Sequence, residues 1–261
     1  MSRAGSHVDE IRRQFTRQAG AYSQMRQTRD EKALKLLVAL TGASRSDRVV
    51  DVACGPGFLT MAFAEGCTHA VGVDATDELL RLAREEAKRR GLDNATFVQG
   101  DAGQLDFEDR SFDVASCRAA FHHFPDPAGV LLEIRQLVKP GGRILIADML
   151  ASPDPEKAAY HDRIERLCDP THTRALKEAE FDGLFREVGL EVLHRPTSEI
   201  DYDVEEWLEH GGPTEEVAAE IRQLLEASIA NDLCGLKVRR EGAHMKFSHQ
   251  VAAFLLLVPS A

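Results

Sequence analysis

The stretch Val49-Val50-Asp51-Val52-Ala53-Cys54-Gly55-Pro56-Gly57-Phe58 passes from a continuous apolar run, through two glycines, into the start of a helical pattern. A buried strand that breaks into a glycine turn before a helix is a ligand site. Glycine allows positive φ and close approach to the backbone, and the helix start offers free N–H groups. Two phosphate-binding readings fail. The dinucleotide signature needs a third glycine, but counting from Gly55 gives Thr60 and counting from Ala53 gives Phe58. No Gly-Lys-Ser/Thr occurs, so there is no P-loop. A carboxylate at Asp51 would repel a pyrophosphate but suits a cationic ligand.

Working outward, apolar β-rich runs at 48–53, 69–74, 95–99, 112–117 and 143–148 start 21, 26, 17 and 31 residues apart. Most of these gaps hold a crossover helix, and near-continuous apolar strands are those of a parallel sheet covered on both faces. The spacing predicts helices over 76–91, stopped by Gly91, and from the Asp126-Pro127 cap to Pro140. Two amphipathic helices precede the first strand, with stripes Val8, Ile11, Phe15, Ala19 and Ala33, Leu34, Leu37, Leu40. Beyond Asp148 helices are expected over 153–168, 177–188, 204–210 and 214–230, with strands at 190–195 and 245–258.

Acids close the successive strands. Asp74 follows Asp51 by 23 residues and sits where a doubly wound sheet places a ribose, whose two hydroxyls a carboxylate can accept. Asp101 follows the third strand and can accept from an exocyclic amine. Together they outline a pocket for a ligand with an amine, a ribose and a purine, carrying positive charge and no phosphate.

These motifs, Asp51-x-x-x-Gly55-x-Gly57, Asp74, Gly100-Asp101-Ala102, the run from Phe112-Asp113 to Arg118, and Leu137 to Arg143, resemble in order and spacing those of class I S-adenosylmethionine-dependent methyltransferases. They cover residues 45 to 150, and the chain is similar to the ubiquinone/menaquinone-biosynthesis C-methyltransferase type. The segments 166–172 and 210–213 look like parts of an uncharacterised bacterial subgroup of that type. The resemblance implies an α/β, doubly wound, Rossmann-like mixed sheet of seven strands, the last antiparallel. It implies S-adenosylmethionine as cofactor, with Ala53, Cys54, Gly55 and Gly57 around the methionine moiety, Asp74 and Ala75 at the ribose, and Asp101 and Ala102 at the adenine. Cys117, Arg118 and Tyr22 complete the expected cofactor-binding set. The chain departs from the family at Ala53, where the family usually has glycine; the added methyl calls for a small backbone shift.

His122 and His123 follow the fourth strand, beside the expected sulfonium. Histidine titrates near pH 6.5 and can take a proton from a phenol, hydroxyl or acidic carbon, an effect of about 10²–10⁴-fold. Adjacent residues are not expected to point the same way, and His123 is the slightly better candidate base. Alignment and desolvation can carry much of a displacement on an activated sulfonium, so no base is obligatory. In the insertion after the fifth strand, Tyr160, His161, Arg166, Asp169 and His172 face the expected substrate side. The His161, Asp169, His172 spacing matches no ligand pair, and no metal is expected.

Composition narrows the partners. The formal charge is −11, from 32 basic and 43 acidic residues, which leaves no broad positive field for nonspecific phosphate affinity, so DNA or bulk RNA is not an expected partner without a local cluster of arginines. The longest apolar run, at 251–258, is eight residues, against about 20 for a membrane span. Five scattered cysteines without a C-x-x-C pair favour free thiols and a cytoplasmic protein. The expected organisation is one domain over 1–261, with a cofactor-binding core at 45–150 and helical lid and substrate elements at 1–42 and 150–240. Its expected activity is methyl transfer to carbon or oxygen of a small organic acceptor, with room for a homodimer. The rivals are an RNA or protein methyltransferase and a non-catalytic binder of the cofactor.

Overall fold

A computed structural model describes residues 3–260. In chain order the elements are α1 (Arg3–Gln24), α2 (Arg26–Arg29), α3 (Glu31–Thr41), β1 (Arg48–Val52), α4 (Phe58–Ala64), β2 (His69–Asp74), α5 (Asp77–Arg90), β3 (Ala95–Gln99), β4 (Phe112–Arg118), a 3-10 turn (Phe121–His123), α6 (Pro127–Leu137), β5 (Val138–Met149), α7 (Pro155–Cys168), α8 (Glu178–Val188), β6 (Glu191–His194), β7 (Thr197–Asp203), α9 (Val204–Gly211), α10 (Glu215–Ser228), β8 (Arg239–Glu241) and β9 (His244–Leu257). No helix among the described residues is long and apolar enough to cross a membrane.

The helix ends follow from local chemistry. Asp30 caps α3 by accepting from the Lys32 and Ala33 amides, Asp126 caps α6 through Gly129, and Asp154 caps α7 through Glu156. In α5, Asp77 and Glu78 occupy the first turn and Lys88, Arg89 and Arg90 the last, matching the helix dipole, and Gly91 closes it at φ 69°.

The strands form one sheet in the order β3-β2-β1-β4-β5-β9-β6. The first five are parallel, and β9 runs antiparallel between β5 and β6. The order reverses between β1 and β4, and the open end of that crevice is where such a sheet receives a ligand.

The expected count of seven strands is corrected to nine. β9 is 14 residues long and overshoots β5, and its first half pairs with β7 on one side and β8 on the other. β7 reads Thr197-Ser198-Glu199-Ile200-Asp201-Tyr202-Asp203, with acids at alternate positions and mostly exposed side chains. Acidic residues are depleted in strands, so the pattern reads as loop; the long partner strand supplies the ladder that local propensity does not. β5 also begins earlier than expected, because Val138 pairs with Phe112 before an irregularity in the ladder.

Side chains alternate between two cores. Val50, Val52, Ala115, Ile144, Ile146 and Phe254 face α6 and α8. Val49, Val114 and Phe97 face the other side, where α3, α4 and α5 contribute Leu34, Phe58, Phe63 and Leu80. A third cluster, including Ile164, Trp207, Ile221, Leu225 and Phe247, packs α7, α9 and α10 against the overshooting half of β9. Phe254 is fully buried, with its ring centroid 4.9 Å from Phe181 and 5.0 Å from Phe185. Phe254→Ala is expected to lower the unfolding free energy by about 3–5 kcal/mol, read from urea denaturation.

Candidate active site

The β1–α4 turn is held in a left-handed conformation at three residues: Ala53 (φ 55°), Gly55 (φ 55°) and Gly57 (φ 76°). It is tied to the neighbouring strand, since the Cys54 amide donates to the Val73 carbonyl at 2.9 Å and the Gly55 amide donates to Asp74 Oδ2 at 2.8 Å. Gly57 is required sterically as well as conformationally. A Cβ there would stand 2.4 Å from the Phe97 ring and 2.9 Å from Ala83 Cβ. Ala53 has no such freedom, and a left-handed alanine costs about 1–2 kcal/mol.

The three predicted acids close adjacent strands but stand in different environments. Asp51 is 2% exposed, and its oxygens accept from Thr60 Oγ1 and Ser116 Oγ, each at 2.7 Å. Burial pushes its carboxyl up to about 6 against the pull of these two hydroxyls. Asp74 accepts one amide on each oxygen, from Gly55 and from Thr76 at 2.8 Å, and burial raises its pKa. Each oxygen keeps a second lone pair, the number needed for two ribose hydroxyls. Beside it, Thr76 Oγ1 is buried with no partner. An unpaired hydroxyl next to a half-used carboxylate fits a polyhydroxylated ligand at this strand end. Asp101 accepts from the Gly103 amide at 2.9 Å, and Ala102 packs on the α6–α8 core.

The remaining predicted residues frame the same edge. The Ala75 carbonyl accepts from Arg12 at 3.2 Å and from Gln99 at 3.0 Å. The Cys117 side chain is enclosed in the core, leaving only its backbone for a ligand. Arg118 is half-buried and donates to the Thr28 carbonyl at 3.4 Å.

Helix α1 roofs this edge. Tyr22 Cε1 would stand 3.5 Å from a Cβ on Gly55. Phe15 packs edge-on against Tyr22 at 5.5 Å and against His123 at 5.4 Å. Gln14 donates to the Gly211 carbonyl at 3.3 Å, joining α1 to α9. Burial raises the Tyr22 hydroxyl above its ordinary range, with Arg118 pulling the other way. Arg26 is exposed.

At the end of β4, Ala119 turns through φ 52° and the 3-10 turn delivers both histidines. Their rings are neighbours, with centroids 4.3 Å apart, closer than the expected divergence of adjacent residues. They hold different partners. His122 Nδ1 lies 2.7 Å from Asp148 Oδ1, while Asp148 also accepts from the Phe121 amide at 2.6 Å and the Met149 amide at 2.7 Å. His123 Nδ1 meets the Thr171 carbonyl at 3.1 Å. Burial disfavours the charged form of His122, but Asp148 more than offsets it and the pKa is raised; Asp148 is correspondingly lowered. Burial and the neighbouring His122 push His123 down to about 4.

The insertion clamps this pair. The Thr173 and Arg174 amides donate to the His122 carbonyl at 2.8 and 3.2 Å, and the His172 ring stacks on His122 at 5.5 Å. His161, Asp169 and His172 do not converge: His172 pairs with Asp162 at 2.8 Å and Asp169 accepts from Thr171. His161 instead meets Glu165 and His249. Sequence reasoning missed Thr60, Ser116, Thr171 and Phe15 as supports of the site. Only Phe15, in its helical stripe, carried a readable signal.

Comparison with known proteins agrees with this geometry. A family described as a methyltransferase domain matches residues 43–189. The uncharacterised methyltransferase YcgJ of Bacillus subtilis is 30% identical over 237 residues, covering 89% of this chain and 93% of the relative. The crystal structure of Bacillus subtilis YcgJ superposes with a TM-score of 0.80 at 26% identity, over 88% of this chain and 99% of that one. The ubiquinone/menaquinone biosynthesis C-methyltransferase UbiE of Bdellovibrio bacteriovorus is 38% identical over 116 residues, 44% of this chain and 49% of the relative.

Two outcomes test the turn. Ala53→Gly is expected to leave stability unchanged or raise it by up to about 1 kcal/mol, because relief of the left-handed strain exceeds or balances the added unfolded-chain entropy. Gly57→Ala is expected to cost about 2–5 kcal/mol from strain plus overpacking. Denaturant titration reads both. A second test concerns Asp51, whose folded pKa is raised. Its contribution is fully present below 3.8 and is lost as pH rises through about 6. The stability of wild type relative to Asp51→Asn should therefore fall between pH 4 and 7, by on the order of 3 kcal/mol.

Proposed function

The chain belongs to the class I S-adenosylmethionine-dependent methyltransferases, and we propose that within that family it methylates an oxygen or an acidic carbon of a small phenol- or quinol-like acceptor. The observation that carries this reading is the buried His122–Asp148 pair at the carboxyl edge of β4 and β5, 2.7 Å between Nδ1 and Oδ1.

When bound, the cofactor supplies a methyl group already activated on a sulfonium. The protein's own work is to hold the cofactor, exclude water and receive a proton. Asp74 and Thr76 would hold the ribose, Asp101 and Ala102 the adenine, and the left-handed turn from Ala53 to Gly57 the methionine end. Asp148 fixes the proton of His122 on Nδ1, which leaves Nε2 as the acceptor for an acidic hydroxyl or C–H proton. The resulting imidazolium stays paired with a carboxylate that accepts three backbone amides, from Phe121, His122 and Met149. His123 is held neutral and is a weak base at about 4, so its role is to support the Phe15 roof. His122, rather than His123, is the base.

The roof favours a small acceptor. α1 is fastened across the edge to Ala75, to the His123 carbonyl through His7 at 2.8 Å, and to Gly211. An acceptor enclosed beneath it must be a compact molecule, and the net charge of −11 works against a nucleic-acid strand.

The test is methyl transfer from labelled S-adenosylmethionine to a panel of phenols and quinols, with bulk tRNA as the opposing substrate. His122→Gln is expected to lower kcat about 10²–10⁴-fold with cofactor affinity unchanged, and His123→Gln to lower it less than about 10-fold. His122 faces Asp148, His123, His172, Glu165 and Asp169, and the net effect raises its pKa. The rate should thus rise with pH through a limb above 6.5, and Asp148→Asn should move that limb downward. Transfer to tRNA alone, or a His122→Gln enzyme that keeps full kcat, contradicts the proposal.

A further inference from the structure

We propose that His161, Glu165 and His249 form a binding site for a divalent first-row transition-metal ion, clamping α7 to β9. The donor atoms of all three lie within 4.8 Å of one another, and the residues are 1%, 6% and 3% exposed. His161 and Glu165 are four residues apart on α7 and so share one helix face, with Nε2 and Oε1 3.3 Å apart. His249 arrives from β9, its Nε2 2.9 Å from the same Oε1. Two imidazoles and one carboxylate are a donor set suited to zinc, iron, cobalt or nickel.

The competing account is a buried hydrogen-bonded triad, and it leaves a defect. His249 satisfies Glu165, but His161 Nε2, although 3.3 Å from the same carboxylate, makes no well-formed hydrogen bond to it or to any other group. An unsatisfied buried nitrogen is destabilising, and a metal ion removes that cost by taking the lone pair. Metal–ligand bonds of about 2.0–2.2 Å in a tetrahedral site set donors about 3.4 Å apart. The two separations from Glu165, 3.3 and 2.9 Å, are within about half an ångström of that value, so the adjustment needed is a small outward shift of His249 and a rotation of the imidazoles toward each other. The surroundings hold the rings: His249 packs 5.0 Å from Tyr202 and 5.1 Å from Phe247, and His161 lies 5.2 Å from His249. Three protein donors leave at least one coordination position for water or a small oxygen ligand.

The site adjoins the reacting edge, since the Glu165 charge reaches His122, but its strand donor lies further along β9. Asp148 pairs with Ala252 on β9, and His249 lies three residues further along the strand, about 10 Å away at 3.3 Å per residue. An ion held there would act through the scaffold. α7 also carries Asp162, which orients His172, whose ring stacks on His122. Fixing α7 to β9 fixes the clamp on the histidine pair.

The experiment is titration of chelator-treated full-length protein with Co2+, followed by ligand-field absorption, with Zn2+ as competitor. One Co2+ per chain is expected, displaced by Zn2+, with affinity lowered about 100-fold or more in His249→Gln and in Glu165→Gln, and retained in His210→Gln. Independently of those variants, a Co2+-soaked crystal should show anomalous density between His161, Glu165 and His249. No ligand-field absorption in wild type, binding that survives both ligand substitutions, or anomalous density elsewhere overturns the proposal. None of these readouts depends on methyl transfer, so failure here is distinct from failure of the acceptor assignment.

Discussion

The structure depends on one backbone constraint: a turn of left-handed residues between β1 and α4, pinned to β2 by the Cys54 and Gly55 amides. The Gly55–Asp74 contact does two things. It fixes the path of the turn, so that α4 begins at Phe58 against the inner core, and it orients a carboxylate whose remaining lone pairs face the strand end. The Phe97 ring beneath Gly57 leaves no space for a side chain, so β3 takes part in shaping a turn that belongs to β1. Turn, acid and third strand are one unit, and a change in any of them is felt at the cofactor edge.

Across the reversal of strand order, a second unit is built from buried charge. Asp148 would be costly alone in the interior; it is stabilised by two short amide hydrogen bonds and an imidazole. The insertion then closes over it, with Thr171 fixing His123, His172 stacking on His122, and Asp162 fixing His172. The result is a continuous sequence of paired polar groups from β5 to α7. The pairing gives two adjacent histidines opposite character: one is driven toward the charged form by a carboxylate, the other is kept neutral by burial and by its neighbour's charge.

Much of this was legible in the sequence, for physical reasons. Parallel strands covered on both faces are apolar throughout, and the five runs stand out with helices bounded by Asp126 and Gly91 among them. The glycine turn and the acids at 74 and 101 are local patterns, so spacing alone was informative. What escaped is long-range. β7 is acidic and half exposed, and only the length of β9, which lies far downstream, makes it a strand. The hydroxyls that enclose Asp51 come from α4 and β4, so nothing near Asp51 announces what pairs with it. His161 and Glu165 show a helical spacing, but their third partner is 84 residues from Glu165. The methyl group at Ala53 is visible in sequence, whereas its positive φ is a product of the turn as a whole.

The most direct test of the central claim, that Asp74 and the neighbouring turn hold an adenosyl sulfonium at the strand ends, is calorimetric titration of the purified chain with S-adenosylmethionine and, separately, with NAD. The account predicts one S-adenosylmethionine site per chain, weakened about 100-fold in Asp74→Ala by loss of two hydrogen bonds to a charged group, and no heat with NAD. Binding of NAD in its place, or S-adenosylmethionine binding indifferent to Asp74, would contradict it.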